Sequence, residues 1–286
     1  MIGSRCVVGF VRAAAISIAP FFIVFSAGLD ANGSDSSPIA VHAEGIEEAE
    51  RLGNLVYRKD QAAWAATDYF LDNENISSDP DVAGWVSEII DGKTVRVSFL
   101  AIESNRLVVR YAVDVEKGNV RTKTAKVLKP GAQLTNRQRL MSNARAFASN
   151  TDFMRCSPRY NTVVIPHEGT TFYVYLLAAM QKSNEIVIGG HHRFLIDAEI
   201  ISKVGDVVDH IVEQRAFTTR CLTLRPPPNI SASALTGAVV SHVTAPYPEE
   251  PHILASLIHN MEISVVAGGA LWMVKDGEIE LSEMIE

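Results

Sequence analysis

Histidines are the side chains of this 286-residue chain best suited to chemistry, because they can transfer protons or bind metal ions near neutral pH. His191 and His192 are adjacent, so on a β-strand they point to opposite faces and cannot form a simple ligand pair. His252 and His259 share one face of a predicted helix, but they lie two turns, roughly 10 Å, apart, beyond the span of ligands on one zinc ion. These spacings predict no metal site, and no cofactor is expected.

A histidine site assembled from distant parts of the chain stays open as an alternative. Folding can bring together His191, His210, His242 and one histidine of the predicted helix. Such a group would suit a histidine-centred or metal-assisted hydrolase. The chain lacks the His-Glu-x-x-His, Gly-x-Ser-x-Gly and Ser-x-x-Lys motifs that identify common hydrolases, so the sequence nominates no catalytic residue and an enzyme is the less favoured interpretation.

His191 and Arg193 are the one pair that the sequence nominates for binding. They are two residues apart on a predicted strand and therefore share a face. A salt bridge that maintains the fold, or a plain surface position, is the alternative. The preceding Gly189-Gly190 is not a phosphate loop, because no lysine and no helix follow it; a close backbone approach or a bulge is predicted instead.

Residues 1–27 have the composition of an export signal. A basic leader precedes an apolar run from Ala13 to Phe25, and the small residues Ser26-Ala27-Gly28 suit a signal peptidase. An uncleaved anchor is the alternative, but Arg12 and Pro20 interrupt the apolar run. We expect a periplasmic or secreted protein that keeps no stable membrane span after cleavage.

The net charge of the exported chain excludes one class of partner. The leader holds two arginines and no acid, so 24 basic and 33 acidic residues remain, a formal charge of −9. Such a protein has no general attraction for phosphate backbones, and nucleic acid is not expected to bind. A hydrophobic content of 47% can fill the core of one large or two small domains.

The export prediction determines which cysteines remain in the mature protein and what state they are expected to have. Cys6 leaves with the leader, and Cys156 and Cys221 remain. An even pair in an oxidising compartment is most simply a disulfide, whereas a redox couple normally has Cys-x-x-Cys spacing. We therefore predict a structural bridge.

The sequence pattern of the first half of the chain predicts a helix packed on an antiparallel sheet. Residues 28–41 have the composition of a flexible tether, and apolar periodicity predicts a helix over 44–71. Thr135 and Gln138 form a capping-box signature that starts a second helix. Four strands are expected between the helices as a meander, at 83–90, 94–102, 106–115 and 120–128.

The second half, residues 151–286, is predicted to be rich in β-structure. Pro251 starts one short helix that runs through His259. Strands are expected near 160–166, 171–179, 237–243, 261–266, 270–275 and 278–282, with a pair of strands across 185–199 and one or two more within 206–224. The predicted fold is α+β: a long N-terminal helix on an antiparallel meander (subdomain 42–150), followed by a mostly antiparallel β half (subdomain 151–286).

Several motifs resemble a group of uncharacterised exported proteins of Gram-negative bacteria. They are Leu55-Val56-Tyr57, residues 60–68, Cys156-Ser157-Pro158, residues 172–177, residues 189–194 and Cys221-Leu222. The resemblance spans most of the chain after the tether. It implies a periplasmic or secreted protein with paired cysteines and no assigned activity. The favoured function is a noncatalytic envelope or secreted domain that binds a protein, a peptide or a small ligand.

Overall fold

The computed structural model describes residues 37–182, 184–199, 211–227, 230–231 and 234–285. The predicted leader at 1–27, residues 28–36 of the predicted tether and His210 lie outside these ranges. The compact unit begins at Ser37. None of the helices within the described ranges combines the length and the apolar composition needed to cross a bilayer.

The long N-terminal helix, α1, spans Pro38–Glu74. The Ser37 hydroxyl accepts the Ala40 N–H at 3.2 Å, and a proline in the first turn needs no hydrogen-bond acceptor. This Ser-Pro pair starts the helix earlier than the apolar periodicity predicts. Residues 38–41, which the composition assigns to the tether, are therefore helical. Asn75 ends the helix in the left-handed conformation and donates its N–H to Phe70.

Sheet A lies under the second half of α1. It contains β1 (Val82–Ile89), β2 (Thr94–Glu103) and β3 (Arg106–Glu116), paired in antiparallel order. Alternate residues Val95, Val97 and Phe99 point towards Phe70 of α1 and form one core with it. The predicted helix on a meander is confirmed for these three strands.

The predicted fourth strand at 120–128 is wrong as a single element. The chain forms β4 (Asn119–Val120), a 3-10 turn (Thr122–Thr124) and β5 (Lys126–Gln133), and both strands pair with β3. The Thr124 hydroxyl accepts the Asp114 N–H at 2.9 Å and donates to the Arg121 carbonyl at 2.8 Å. The Thr124 side chain thus replaces a backbone partner that a neighbouring strand would otherwise supply to Asp114. The strand is interrupted there, although the alternation of apolar and polar residues continues.

Helix α2 (Asn136–Asn150) leads into sheet B. The predicted capping box is present, with reciprocal bonds between Thr135 and Gln138. Apolar residues of α2, among them Met141 and Ala144, pack on Val174 and Phe194 of the sheet. Sheet B is antiparallel and contains, in spatial order, β10 (Ile211–Ala216), β9 (His192–Asp197), β7 (Thr171–Ala178) and β6 (Tyr160–Pro166).

The remaining elements complete an α+β fold, as predicted. Two short strands, β8 (Ile186–Val187) and β11 (Thr223–Leu224), pair with each other as sheet C. Helix α3 (Glu250–His259) connects two parallel strands of sheet D. Sheet D contains β12 (Gly237–Ser241), β13 (Glu262–Ala267), β14 (Ala270–Lys275) and β15 (Glu278–Met284). Leu52 and Val56 of α1 pack on sheet B, so the predicted subdomains 42–150 and 151–286 share this helix.

The predicted disulfide between Cys156 and Cys221 is confirmed. It joins the segment before β6 to the segment before β11, and it lies against the predicted close approach at Gly189-Gly190. A Cβ on Gly190, whose φ is +82°, would stand 2.4 Å from Cys156 Cβ, so only glycine fits there. The bridge and this glycine together hold β8 and β11 beside sheet B.

Lys59 is a charged residue on the buried face of α1. Its side chain is only 2% exposed, and its Nζ donates to the Val164 carbonyl on β6 at 2.5 Å. Because β6 is an edge strand of sheet B, this bond satisfies a carbonyl group on the unpaired side of the strand. Burial lowers the pKa of Lys59 to about 7, although the carboxylate of Glu88 acts in the opposite direction.

Replacing both cysteines, Cys156→Ala with Cys221→Ala, is expected to lower the free energy of unfolding by about 4 kcal/mol. The bridge closes a loop of 65 residues, and the estimate is the loop-closure entropy lost from the unfolded chain. Urea unfolding of the exported protein beside the double variant measures the difference. A thiol titration of the denatured wild type is expected to find neither sulfur free; two free thiols would contradict the bridge.

The stability of the wild type is expected to rise between pH 7 and 9.5. The pKa of Lys59 is about 7 when folded against 10.5 ordinarily, so in this window the unfolded chain binds a proton that the folded chain does not. The free energy of unfolding then rises by up to about 1.4 kcal/mol per pH unit. Below pH 7 both states are protonated and the cost of burying the charge is fully present.

Lys59→Met should remove this contribution, and the exposed Lys93→Met should not. Urea unfolding at several pH values, with the two variants beside the wild type, measures the slopes. Equal slopes in all three proteins would show that Lys59 stays protonated in the folded state.

Candidate functional site

A groove of about 360 Å³ lies between α1, α3 and the adjoining ends of β6 and β7. Its walls come from parts of the chain far apart in sequence. The lining residues are Asp60, Gln61, Trp64, Arg159, Asn161, Leu177, Ala178, Ala179, Met180, Val187, His191, Leu254, Ala255, Ile258 and His259.

The α1 wall carries an aromatic ring and a carboxylate. Trp64 and Asp60 are four residues apart, so they are neighbours on one helix face. The Trp64 side chain is 63% exposed. Gln61 and Asn161 donate to the Asp60 carboxylate at 3.3 Å and 3.4 Å. Burial nevertheless raises the pKa of Asp60, and in the described part of the chain no basic side chain forms an ion pair with it.

His191 lies in the wall of the groove as a packed, neutral imidazole. Its Nδ1 accepts the Ala178 N–H at 3.0 Å, and its Nε2 donates to the Val187 carbonyl at 3.3 Å. Burial lowers its pKa to about 4. Both ring nitrogens are therefore used to join the end of β7 to β8.

Arg193, the other residue nominated for binding, lies behind α3 in a buried ion pair. Its Nη1 donates to Glu250 Oε1 at 2.6 Å, and its Nη2 donates to Glu213 at 3.1 Å. The Tyr175 hydroxyl also donates to Glu250 Oε1, at 3.0 Å. Burial raises the pKa of Glu250, and the Arg193 guanidinium opposes that effect. The nominated pair thus separates: His191 lines the groove, and Arg193 holds α3 on sheet B.

A second ion pair stands beside the first. Arg215 of β10 lies directly opposite Arg193 of β9, and it contacts Glu249, the residue before α3. His242 also binds Glu249, with its Nε2 at 2.8 Å from Oε2. Consecutive glutamates at the start of α3 therefore neutralise two arginines that face each other across the strands.

The buried histidines near α3 pack and cap the helix. The His242 and His252 rings lie 4.6 Å apart, edge to face. His252 Nδ1 accepts the Glu249 N–H at 3.0 Å, and burial lowers the pKa of His252 to about 3. His259 lies at the other end of the helix, in the groove. Among the residues that the structure describes, no three His, Cys, Asp or Glu side chains converge as metal ligands, and His210 lies outside them.

The groove residues Asp60, Trp64 and Arg159 were not predicted as a site. Trp64 lies outside the apolar face of α1. An exposed tryptophan close to an acidic residue on a helix is the sequence feature that could have indicated a binding site. The other walls come from segments about 100 and 200 residues away, which periodicity cannot place. A second pocket of about 170 Å³ lies next to the disulfide and shares Ala178, Ala179 and Val187 with the groove.

The comparisons assign the chain to no family. No protein-family model, no curated protein and no solved structure matches it. The groove and the polar groups that line it are therefore the features from which a function can be proposed.

Arg193→Met is expected to lower the free energy of unfolding by about 3–5 kcal/mol, because it leaves Glu250 buried without its cation. The matched control is Arg51→Met, which removes an exposed ion pair with Glu48 and should cost no more than about 1 kcal/mol. Denaturant unfolding of both variants measures the difference. Equal costs would show that the buried pair does not hold α3 in place.

Proposed function

We propose that this chain is a noncatalytic, exported binding protein that holds a small, largely apolar ligand in the groove between α1 and α3. The observation that carries the proposal is the exposed tryptophan in a concave site. A volume of about 360 Å³ lies within the range of small-molecule sites, which are mostly apolar with a few polar groups.

The apolar lining supports a ligand of this kind. Trp64, Met180 and Ile258 are exposed by 63%, 47% and 40% although all three are large and apolar. They face one groove with Leu177 and Leu254. Single exposed apolar residues need no explanation, but several around one concavity mark a binding surface.

Three contacts support a preformed site. The Lys59 bond to Val164 anchors α1 beside β6, and the Arg193 pair anchors α3 on β9. His191 ties β7 to β8 between these two walls. A ligand entering such a site spends little free energy on ordering the protein, which favours affinity.

His191, the histidine that the sequence nominated, is not available for acid–base chemistry in the groove. A general acid or base needs a nitrogen or oxygen that is free to exchange a proton with the substrate. Both nitrogens of His191 are occupied by backbone groups, so this histidine has no free position for that task.

Export belongs to the same proposal. Residues 1–27 have the composition of a signal peptide. The Cys156–Cys221 bridge is consistent with an oxidising compartment. We place the working protein in the periplasm or outside the cell.

Fluorescence titration with the neutral apolar dye N-phenyl-1-naphthylamine tests the groove. Saturable binding at one site per chain is expected. Trp64→Ala should weaken it about tenfold, a loss of about 1.4 kcal/mol, because the ring forms one wall. Val243→Ala, at an apolar side chain that is 76% exposed and does not line the groove, is the control. No saturable binding, or equal binding by both variants, would contradict the proposal.

A further inference from the structure

We infer that the ligand carries an ammonium group, which binds between the Asp60 carboxylate and the indole face of Trp64. This inference rests on the proposed function and names the chemistry of the ligand's polar end. The two side chains are neighbours on α1, and both line the groove.

The charge of Asp60 is the first argument. The buried carboxylates of the described residues each have an arginine: Asp114 pairs with Arg96, Glu185 with Arg225, Glu249 with Arg215 and Glu250 with Arg193. Asp60 is half-buried, and within the described part of the chain its carboxylate accepts two long hydrogen bonds, both from neutral amides. A carboxylate accepts about four hydrogen bonds, so acceptor positions remain for a cationic donor.

The aromatic face of Trp64 is the second argument. Tryptophan is the best partner for a cation above its ring. Arg145 lies 4.8 Å from the centroid of Trp85, and Arg193 lies 4.8 Å from that of Tyr173. Within the described ranges no cation or ring contacts Trp64 in this way. A carboxylate without an arginine and an exposed indole on the same helix face offer an ammonium both a negative charge and an aromatic face.

The other polar groups of the groove do not supply a second carboxylate. Arg159 carries a positive charge and forms no ion pair with Asp60. His191 is neutral, because burial lowers its pKa to about 4, and burial also lowers the pKa of His259. Asp60 is therefore the only acid among the residues that line the groove in the described structure, so a cation has one place to bind.

Competition against the dye with three matched probes tests the inference. The probes are 2-phenylethylamine, 2-phenylethanol and 3-phenylpropanoate, which share a phenyl group and differ in charge at pH 7.5. We expect the amine to bind at least tenfold more tightly than the alcohol, and the carboxylate to bind most weakly. The full exported protein is used throughout.

Asp60→Asn should abolish the advantage of the amine and leave alcohol binding unchanged. Asp72→Asn, at an exposed acid more than three turns further along α1 and away from Trp64, is the matched control. Thermal unfolding of Asp60→Asn checks the fold. No large loss of stability is expected, because the partly buried charge is removed and the amide oxygen still accepts from Gln61 or Asn161, while the other amide can rotate to accept from the new Nδ2.

The outcomes separate the two proposals. If the alcohol binds and the amine has no advantage, the inference is overturned and the groove still binds apolar molecules. If 3-phenylpropanoate binds best and Arg159→Gln removes that preference, the ligand carries an anion and the inference is overturned. If none of the probes and no dye binds, both proposals fail.

Discussion

The contact between Arg193 of β9 and Glu250 of α3 is the interaction on which the shape of the groove depends. Two arginines, Arg193 and Arg215, lie opposite each other across β9 and β10, where like charges repel. Glu250 and Glu249 supply one carboxylate to each. Sheet B therefore needs the start of α3, and α3 takes its position from sheet B. Once the start of α3 is fixed in this way, the apolar residues further along the helix form one wall of the groove.

The opposite wall depends on a different buried charge. Lys59 reaches the exposed edge of sheet B and donates to Val164, so α1 is tied to β6 at a specific register. A methionine would fill the same space with less desolvation, but it could not bond that carbonyl. Burial of an amine at this point favours one arrangement of helix and sheet at a cost in stability. Asp60 and Trp64, which follow on the helix, then face the groove.

Local structure was largely readable from the sequence, because it depends on neighbours along the chain. Alternation at Val95, Val97 and Phe99 predicted a strand, and the Thr135 capping box predicted a helix start. The break after β4 was missed, since a Thr124 hydroxyl rather than an apolar pattern causes it. The groove was missed for a related reason. Its walls meet only when α1, β6 and α3 pack together, and no local pattern encodes that packing.

The surroundings of the buried charges differ between the structural positions and the proposed binding position. Where this fold buries a carboxylate completely, as at Glu250, an arginine stands within hydrogen-bond distance. At Lys59 a carbonyl provides the partner. Among the described residues, Asp60 has neither an arginine nor a close donor, and burial raises its pKa. An arginine beside Asp60 would stabilise the folded state more, as Arg193 does beside Glu250. The missing cation at the wall of a groove is therefore the feature that a ligand, rather than the fold, is best able to supply.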